Sequence, residues 1–486
     1  MKKILVAFLI LIFSVYTILT FLFAFNGYPG FIQDSTCFLP TAYFINHYHQ
    51  LINPLYDAGL DPIMHKFLFY PPLFPYTVAY IIRTLPDFDN TIQVALTIID
   101  FFSVIILLAS VYIYCRKKKI QASIQLYLFL MIWLLGLFSF YGIIEGRPEV
   151  LSRFFIACFL LNNMYRNKRF YNLNDGLIIG LNLITSPIST FYLMVIKLGL
   201  IIYQNNSKLK PILQTIAGFV IIMIGFTIVY PYHLTELIAG LHKHSQNVIV
   251  NRIGTAAFEN FIRFYISYTY VPFCIFNFII AIAYVYYVLI KRNKIICIAL
   301  LTVLTGLVAY FSFKDMAMNY NMLVLAPLCF FLLFVIFTQI LNPSIFNPFL
   351  KASSVIIILL LFVNSIGFIR KSLLFFSTEG NKVSYQDFRK DFIEVYNSTK
   401  KDKKIIVSFS LWPYCLDKFK NITMSNKDTS AQYMMIQQLY SGQTEPQPQP
   451  GFKLIKNSFI TKHPKFGKLP LGNTYPWFQT AVYERK

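Results

Sequence analysis

The chain has 486 residues, of which 56% are hydrophobic and 13% charged, and it carries a formal net charge of +22. Its apolar residues gather in blocks of about twenty, the length that crosses a hydrocarbon layer. That pattern excludes a soluble globular enzyme and points to an α-helical polytopic membrane protein. The seven cysteines fall mostly inside the apolar blocks and form neither a disulfide framework nor a CxxC zinc pattern. Cys37 and Cys415 alone face the outside in the topology below, as two thiols or as one bridge.

The N-terminal Met1-Lys2-Lys3 and the apolar run Ile4 to Phe25 have the layout of a signal peptide. The run is long and no small-x-small cleavage site follows, so it reads as a retained span. The next stretch, residues 26–90, is polar enough to be a loop. It holds Asp34, about eight residues beyond the first span, then a helix-like run from Pro40 to Leu51, a turn-rich link (NPLYDAGLDP) and the box FYPPLFPY. The paired prolines Pro71 and Pro72 forbid regular helix at Tyr70 and fix a bend there.

Further spans are expected at roughly 91–115, 121–141, 149–165, 175–187, 188–203, 211–231, 271–290, 295–313, 322–341 and 352–370. The basic clusters at Lys2-Lys3, Arg116–Lys119, Arg166–Arg169, Lys208–Lys210 and Lys291–Lys294 all fall on one side if there are about 11 transmembrane helices, and that side is cytoplasmic. The parity depends on reading Asn172 to Tyr203 as two short segments meeting at Thr185-Ser186-Pro187, an interruption suited to backbone that lines a cavity. Residues 1–370 then form the transmembrane part, with residues 26–90 as its first outer loop, and 371–486 a small extracytoplasmic α/β domain. The latter has helix-like segments at Tyr385–Ser398 and Ala431–Tyr440 and a strand-like IIVSFSLW. Its excess of lysine and arginine suits anionic headgroups or phosphate, or simply a solvated surface. The protein is expected in the cytoplasmic (inner) membrane of a bacterium.

Two outer turns concentrate charge. Glu145-Gly146-Arg147-Pro148-Glu149 packs two acids and an arginine into five residues at a membrane edge, where charges cost desolvation energy unless partnered. Lys314 and Asp315 form a second edge pair. An acid at the membrane edge, a short amphipathic segment and an aromatic-proline box together resemble the first outer loop of the C-type glycosyltransferase (GT-C) superfamily, with a more distant likeness to lipid A aminoarabinose transferases and protein mannosyltransferases.

The resemblance implies an inverting glycosyltransferase that moves a sugar from a polyprenyl-phosphate carrier to an acceptor hydroxyl at the outer face. Such transfer needs a base for the hydroxyl proton and cationic groups for the departing phosphate. Asp34 matches the position of the family's catalytic aspartate, and Glu145 that of its second acid, for acceptor or metal contact. Arg147 is the candidate for the donor phosphate, which a guanidinium can clamp with two hydrogen bonds. Plainer readings stand beside these: Asp34 as a helix cap, and Arg147–Glu149 as a local ion pair with Pro148 opening the next helix.

One departure matters. The aminoarabinose transferases carry a phosphate-binding lysine before the paired prolines, where this chain has Tyr70. Phosphate binding then falls to His65, Lys66, Arg147 or Lys314, while Tyr70 and Tyr76 stack on a sugar or join the interfacial aromatic belt. No cofactor is assigned. A divalent metal is left open, because His47-x-His49 and His242-x-His244 are spaced two apart and point to different sides of a helix. Glu236, His242 and Lys243 precede the eighth span in a loop able to cover the site. Partners are a polyprenyl-phosphate-linked sugar, a glycan or lipid acceptor and membrane lipids, with no nucleic acid. The rival class is a carrier-lipid flippase, polymerase or other transporter, which places ionisable groups at mid-membrane; the expected spans are nearly bare apart from Asp100 and Lys197.

Overall fold

The computed structural model describes residues 2–25, 33–55, 66–86, 90–141, 146–165, 169–204, 209–248, 317–340, 403–407, 412, 416, 422–423, 429–439, 450–458 and 478–486. The expected spans 271–290, 295–313 and 352–370 and the helix-like segment Tyr385–Ser398 lie outside these residues.

The helices run α1 (Lys2–Phe25), α2 (Leu39–Tyr48), α3 (Leu73–Thr84), α4 (Thr91–Lys117), α5 (Ile124–Tyr141), α6 (Pro148–Asn163), α7 (Tyr171–Leu183), α8 (Pro187–Gln204), α9 (Leu209–Val229), α10 (Leu234–Val248) and α11 (Ala317–Ile340). Among the described residues α1, α4 and α9 are long and apolar enough to cross a membrane, and shorter apolar helical stretches cover Ile124–Phe138, Pro187–Ile201 and Ala326–Val335. On α1 and α9 the apolar side chains face outward: Ile4, Phe8, Leu11 and Ile18 on one, Leu213, Ile216, Val220 and Ile224 on the other are exposed. In water this would be an anomaly; against lipid tails it costs nothing.

The bundle has two chemically distinct ends. At one, Lys117 closes α4, donates to the carbonyl of Met164 just past α6, and lies 5.2 Å from the ring of Tyr165. Asn162 of α6 donates to Tyr171 O at the start of α7 (2.9 Å), and Asn172 donates to Gln214 near the start of α9 (3.1 Å). The basic residues Arg116–Lys119, Arg169 and Lys210 cluster here, so this is the lysine-rich end. At the other, Asn90 donates to Phe25 O (2.8 Å) and ties the start of α4 to the end of α1.

Glycine sets the tightest contact. A Cβ on Gly176 of α7 would strike Thr215 O of α9, and one on Gly218 of α9 would strike Leu173 O of α7. The two backbones therefore touch, as small residues allow between membrane helices. Elsewhere the core is aromatic. Tyr16 stacks on Phe138 and Phe129 on Phe337, each at 3.7 Å between ring centroids, and the Trp133 indole donates to Phe330 O at 2.9 Å. Phe129 meets Phe337 while Trp133, one turn on, meets Phe330, so α11 runs antiparallel to α5.

The split in residues 172–203 is present: α7 ends at Leu183 and α8 begins at Pro187. Thirteen residues rise about 20 Å, less than the hydrocarbon thickness of about 30 Å, and Pro187 cannot continue the preceding helix.

Near the C-terminus five strands, β1 (Ile405–Val407), β2 (Ile422–Thr423), β3 (Tyr433–Leu439), β4 (Phe452–Ser458) and β5 (Phe478–Arg485), form one sheet in the order β2-β1-β3-β5-β4. β1 pairs in parallel with β2 and β3, whereas β5 runs antiparallel to β3 and β4. The helix-like reading of Ala431–Tyr440 is thus corrected. Met, Gln and Leu favour helix in isolation, but here a central strand gains ladder bonds on both edges and buries alternate side chains on two faces. Ile405, Val407, Tyr433, Met435 and Val482 share one hydrophobic cluster with Phe38, Leu51, Phe67 and Phe74 of the first loop, while Ile406, Met434 and Tyr483 face the other way.

Candidate functional site

Three stretches that the sequence analysis singles out meet at the end of the bundle opposite the lysines. The first is a 3-10 helix over Gln33–Cys37, which carries Asp34. Ser35 and Thr36 beyond it are fully buried, and Asn53 donates from its Nδ2 to Thr36 O and to Cys37 O, both at 3.0 Å.

The second is the turn before α6. Gly146 has φ +63, a left-handed conformation that glycine adopts without strain. A Cβ there would lie 2.6 Å from Leu39 Cδ1 and 2.9 Å from Ser35 Cβ, so the bare backbone of this turn is seated against the turn of Asp34. Arg147 is extended at φ −116, ψ 160 and Pro148 opens α6. The Arg147 Nε donates to Glu149 Oε2 at 3.1 Å, and the guanidinium carbon sits 5.7 Å from the centre of the Phe38 ring. The local ion pair is therefore present, with a cation–π contact added to it.

The third is the aromatic-proline box. Phe38, just past the 3-10 helix, makes ring contacts with Phe67, Phe69, Tyr70 and Phe74 at 5.2–6.4 Å. The box reaches down to the α7–α8 break: Leu73 N–H donates to Ile184 O at 3.0 Å and Tyr70 OH to Ser186 Oγ at 3.1 Å. Burial, and secondarily the negative charge of Glu149, holds the Tyr70 phenol well above the ordinary tyrosine range, against the opposing pull of the Ser186 hydrogen bond and Arg147. Tyr70 is thus a buried tie between loop and helix break. Tyr76 is half-buried and lines a groove of about 410 Å³ between α2 and α3, together with Asn46, His49, Tyr80 and Arg83.

A second loop closes on this assembly. Lys66 Nζ pairs with Glu236 Oε2 of α10 at 2.9 Å and lies 4.8 Å from the ring centre of Tyr232, whose hydroxyl donates to Leu51 O at 2.6 Å. Gly240 of α10 meets the backbone of Leu68 so closely that a Cβ would collide with its carbonyl. Lys66, expected near phosphate, is engaged in holding α10 to the first loop. The Tyr230 phenol, at the foot of this loop, is raised by burial and then by Tyr232 and Glu236.

Asp34 and Arg147 are thus brought to adjoining turns, with Lys66 and Tyr70 on the neighbouring strand of the same loop. Glu145, His65, Lys314 and the Asp34 side chain lie outside the described part of the structure. His47 is exposed with its ring 4.2 Å from that of Tyr43. Among the described residues no three His, Cys, Asp or Glu side chains could hold a metal ion.

Sequence reasoning missed two ion pairs. Arg153 Nη2 lies 2.7 Å from Asp100 Oδ1, and Lys197 Nζ 2.6 Å from Asp175 Oδ2, each pair buried. Asn162 and Asn172 complete the second pair's hydrogen bonds. The charges of α4 and α8 that looked solitary are neutralised by neighbours on α6 and α7. An opposite charge in each adjoining helix was the signal available.

No family model and no curated protein matches the sequence. Among solved structures the chain is similar to the oligosaccharyltransferase of Archaeoglobus fulgidus. The apo form superposes with a TM-score of 0.51 at 11% identity, covering 89% of this chain and 69% of that one. The complex with Zn and sulfate gives a TM-score of 0.51 at 11% identity, covering 88% and 67%. At that identity the likeness is one of fold: this is a mostly helical membrane protein with a small sheet near its C-terminus, folded like that oligosaccharyltransferase.

Proposed function

We propose that this chain is a membrane glycosyltransferase that moves a sugar from a polyprenyl-phosphate carrier to an acceptor hydroxyl at the outer face of the cytoplasmic membrane. The observation that carries the reading is the seating of the Gly146-Arg147-Pro148 turn against the turn of Asp34, within a fold like that of an enzyme named for oligosaccharide transfer. The lysine-rich end faces the cytoplasm, so the convergent loops face outward. Residues 1–370 form the catalytic part and 371–486 an extracytoplasmic domain.

In the proposed reaction the Asp34 carboxylate takes the proton of the acceptor hydroxyl as its oxygen attacks the anomeric carbon. The bond from that carbon to the carrier phosphate breaks on the opposite side, and its electron pair leaves with the phosphate, so the anomeric centre inverts. Arg147, oriented by Glu149 and the Phe38 ring, offers its cation to the departing phosphate. Glu145 is assigned to the acceptor or to a metal, His65 and Lys314 to the carrier phosphate. Lys66 and Tyr70 keep the loops assembled.

Transport is the second reading, and the buried Asp100–Arg153 pair is the observation in its favour, since ionisable residues inside spans often mark a transport path. One experiment separates them. Release of polyprenyl phosphate from a panel of synthetic polyprenyl-phosphate hexoses and pentoses, with alcohol and glycoside acceptors, is expected to fall on the order of 10²–10⁴-fold in Asp34→Asn, with expression and unfolding unchanged. Absence of release by the wild-type protein across the panel would overturn the enzyme reading, and wild-type release by Asp34→Asn would remove Asp34 as the base.

A further inference from the structure

We propose that Asn53 is a positioning residue for Asp34, acting through the backbone of the turn that carries it; this rests on the reading of Asp34 as the base. A five-residue 3-10 helix makes poorly aligned internal bonds and gains from outside support. Within the turn, Phe38 N–H donates to Ser35 O at 3.2 Å. The next two carbonyls, Thr36 O and Cys37 O, are taken by the single Nδ2 of Asn53 at 3.0 Å each. An amide NH₂ has two hydrogens, and both are used here.

The side chain is buried at 3% exposure, and its Oδ1 has no hydrogen-bond partner among the described residues. Burying an unmatched acceptor is unfavourable, so the site retains an amide for its donor half alone. A leucine would fill comparable space without that cost but would lose both bonds to the turn.

Asn53 is itself held on a frame. Leu51 O, two residues earlier, accepts from Phe67 N–H at 3.1 Å and from Tyr232 OH at 2.6 Å, and Ile52 bridges to Lys66. From the opposite side Gly146 presses on Ser35 and Leu39. The turn is therefore gripped between a pinned ribbon and a glycine backbone, and Asp34 is the residue next to the grip. A general base must come within about 2.6–3.2 Å of the proton it removes, and a displacement of about 1 Å costs on the order of 10²-fold in rate.

The test uses the full-length protein in detergent with the panel of polyprenyl-phosphate sugars above. Asn53→Ala is expected to lower kcat on the order of 10–100-fold while KM for the donor moves by less than about threefold. Asn53→Ser, which keeps one donor, falls between. In parallel, hydrogen exchange followed by mass spectrometry should speed up at residues 35–38 in Asn53→Ala and stay unchanged across α4 and α6. Unchanged exchange at 35–38 overturns the proposal. So does a wild-type kcat in Asn53→Ala when Asp34→Asn is inactive, or a raised KM at constant kcat, which would mark a binding role. Full activity of Asp34→Asn removes the base and with it the positioning role, a result separate from failure of the pin, which the exchange data report alone.

Discussion

Replacing Gly146 by alanine tests whether the turn before α6 is truly seated on the turn of Asp34. Two costs add. A residue with a Cβ in the left-handed region loses about 1–2 kcal/mol relative to glycine. The new methyl would also sit 2.6 Å from Leu39 Cδ1 and 2.9 Å from Ser35 Cβ. Leu39 Cδ1 ends a flexible side chain and can turn aside, but Ser35 Cβ is fixed to the backbone of a buried turn, and forcing a methyl into a packed site costs about 1–3 kcal/mol. The expected loss is about 2–5 kcal/mol. Gly225 on α9 is the internal control, because nothing lies within 4 Å of a Cβ built there and alanine is favoured over glycine in a helix by up to about 1 kcal/mol. Thermal unfolding of detergent-purified protein should rank Gly225→Ala at or above wild type and Gly146→Ala several degrees below it. A Gly146→Ala protein that melts with wild type would refute the seating of the two turns, and with it the convergence on which the site is built.

Asp100→Asn should destabilise the bundle by about 3–5 kcal/mol, because it removes the negative charge 2.7 Å from the buried Arg153 guanidinium; the double variant Asp100→Leu/Arg153→Met should recover most of that loss in the same unfolding measurement. Tyr70→Phe should cost about 0.5–1.5 kcal/mol at neutral pH through the lost bond to Ser186. Its effect at alkaline pH has a definite sign. The folded state holds the Tyr70 phenol neutral above the ordinary tyrosine value, so above about pH 10 the unfolded chain has given up a proton that the folded one keeps, and stability falls as pH rises. Unfolding measured from pH 8 to 11 should therefore show a shallower alkaline decline in Tyr70→Phe than in wild type.

What could be read from sequence was whatever depends on neighbours in the chain. The span expected at 91–115 appears as α4, Thr91–Lys117, and the break at Thr185-Ser186-Pro187 separates α7 from α8, because apolar run length and proline act locally. The Arg147–Glu149 pair was legible for the same reason, being two residues apart. Partners remote in sequence were not. Lys66 finds Glu236 170 positions away, so a lysine that looked available for phosphate is engaged in joining two loops. Residues 433–439 became strand because β1 and β5 flank them, information absent from the segment itself. Asn53 gave no signal at all, since an Asn-Pro pair reads as an ordinary turn and its role appears only when the carbonyls of Thr36 and Cys37 come to meet it.

The shortness of α7 has a consequence for how a lipid-borne molecule would arrive. A helix of about 20 Å stops roughly 10 Å below the rim of a typical hydrocarbon slab, and the aromatic-proline box descends to cap it, Leu73 bonding Ile184 and Tyr70 bonding Ser186. Beside a helix this short, a slab of that thickness leaves room for water to dip inward. A carrier drifting sideways through the leaflet could bring its headgroup to the floor of that dip without being hauled out of the bilayer, and how well the two levels match would depend on membrane thickness.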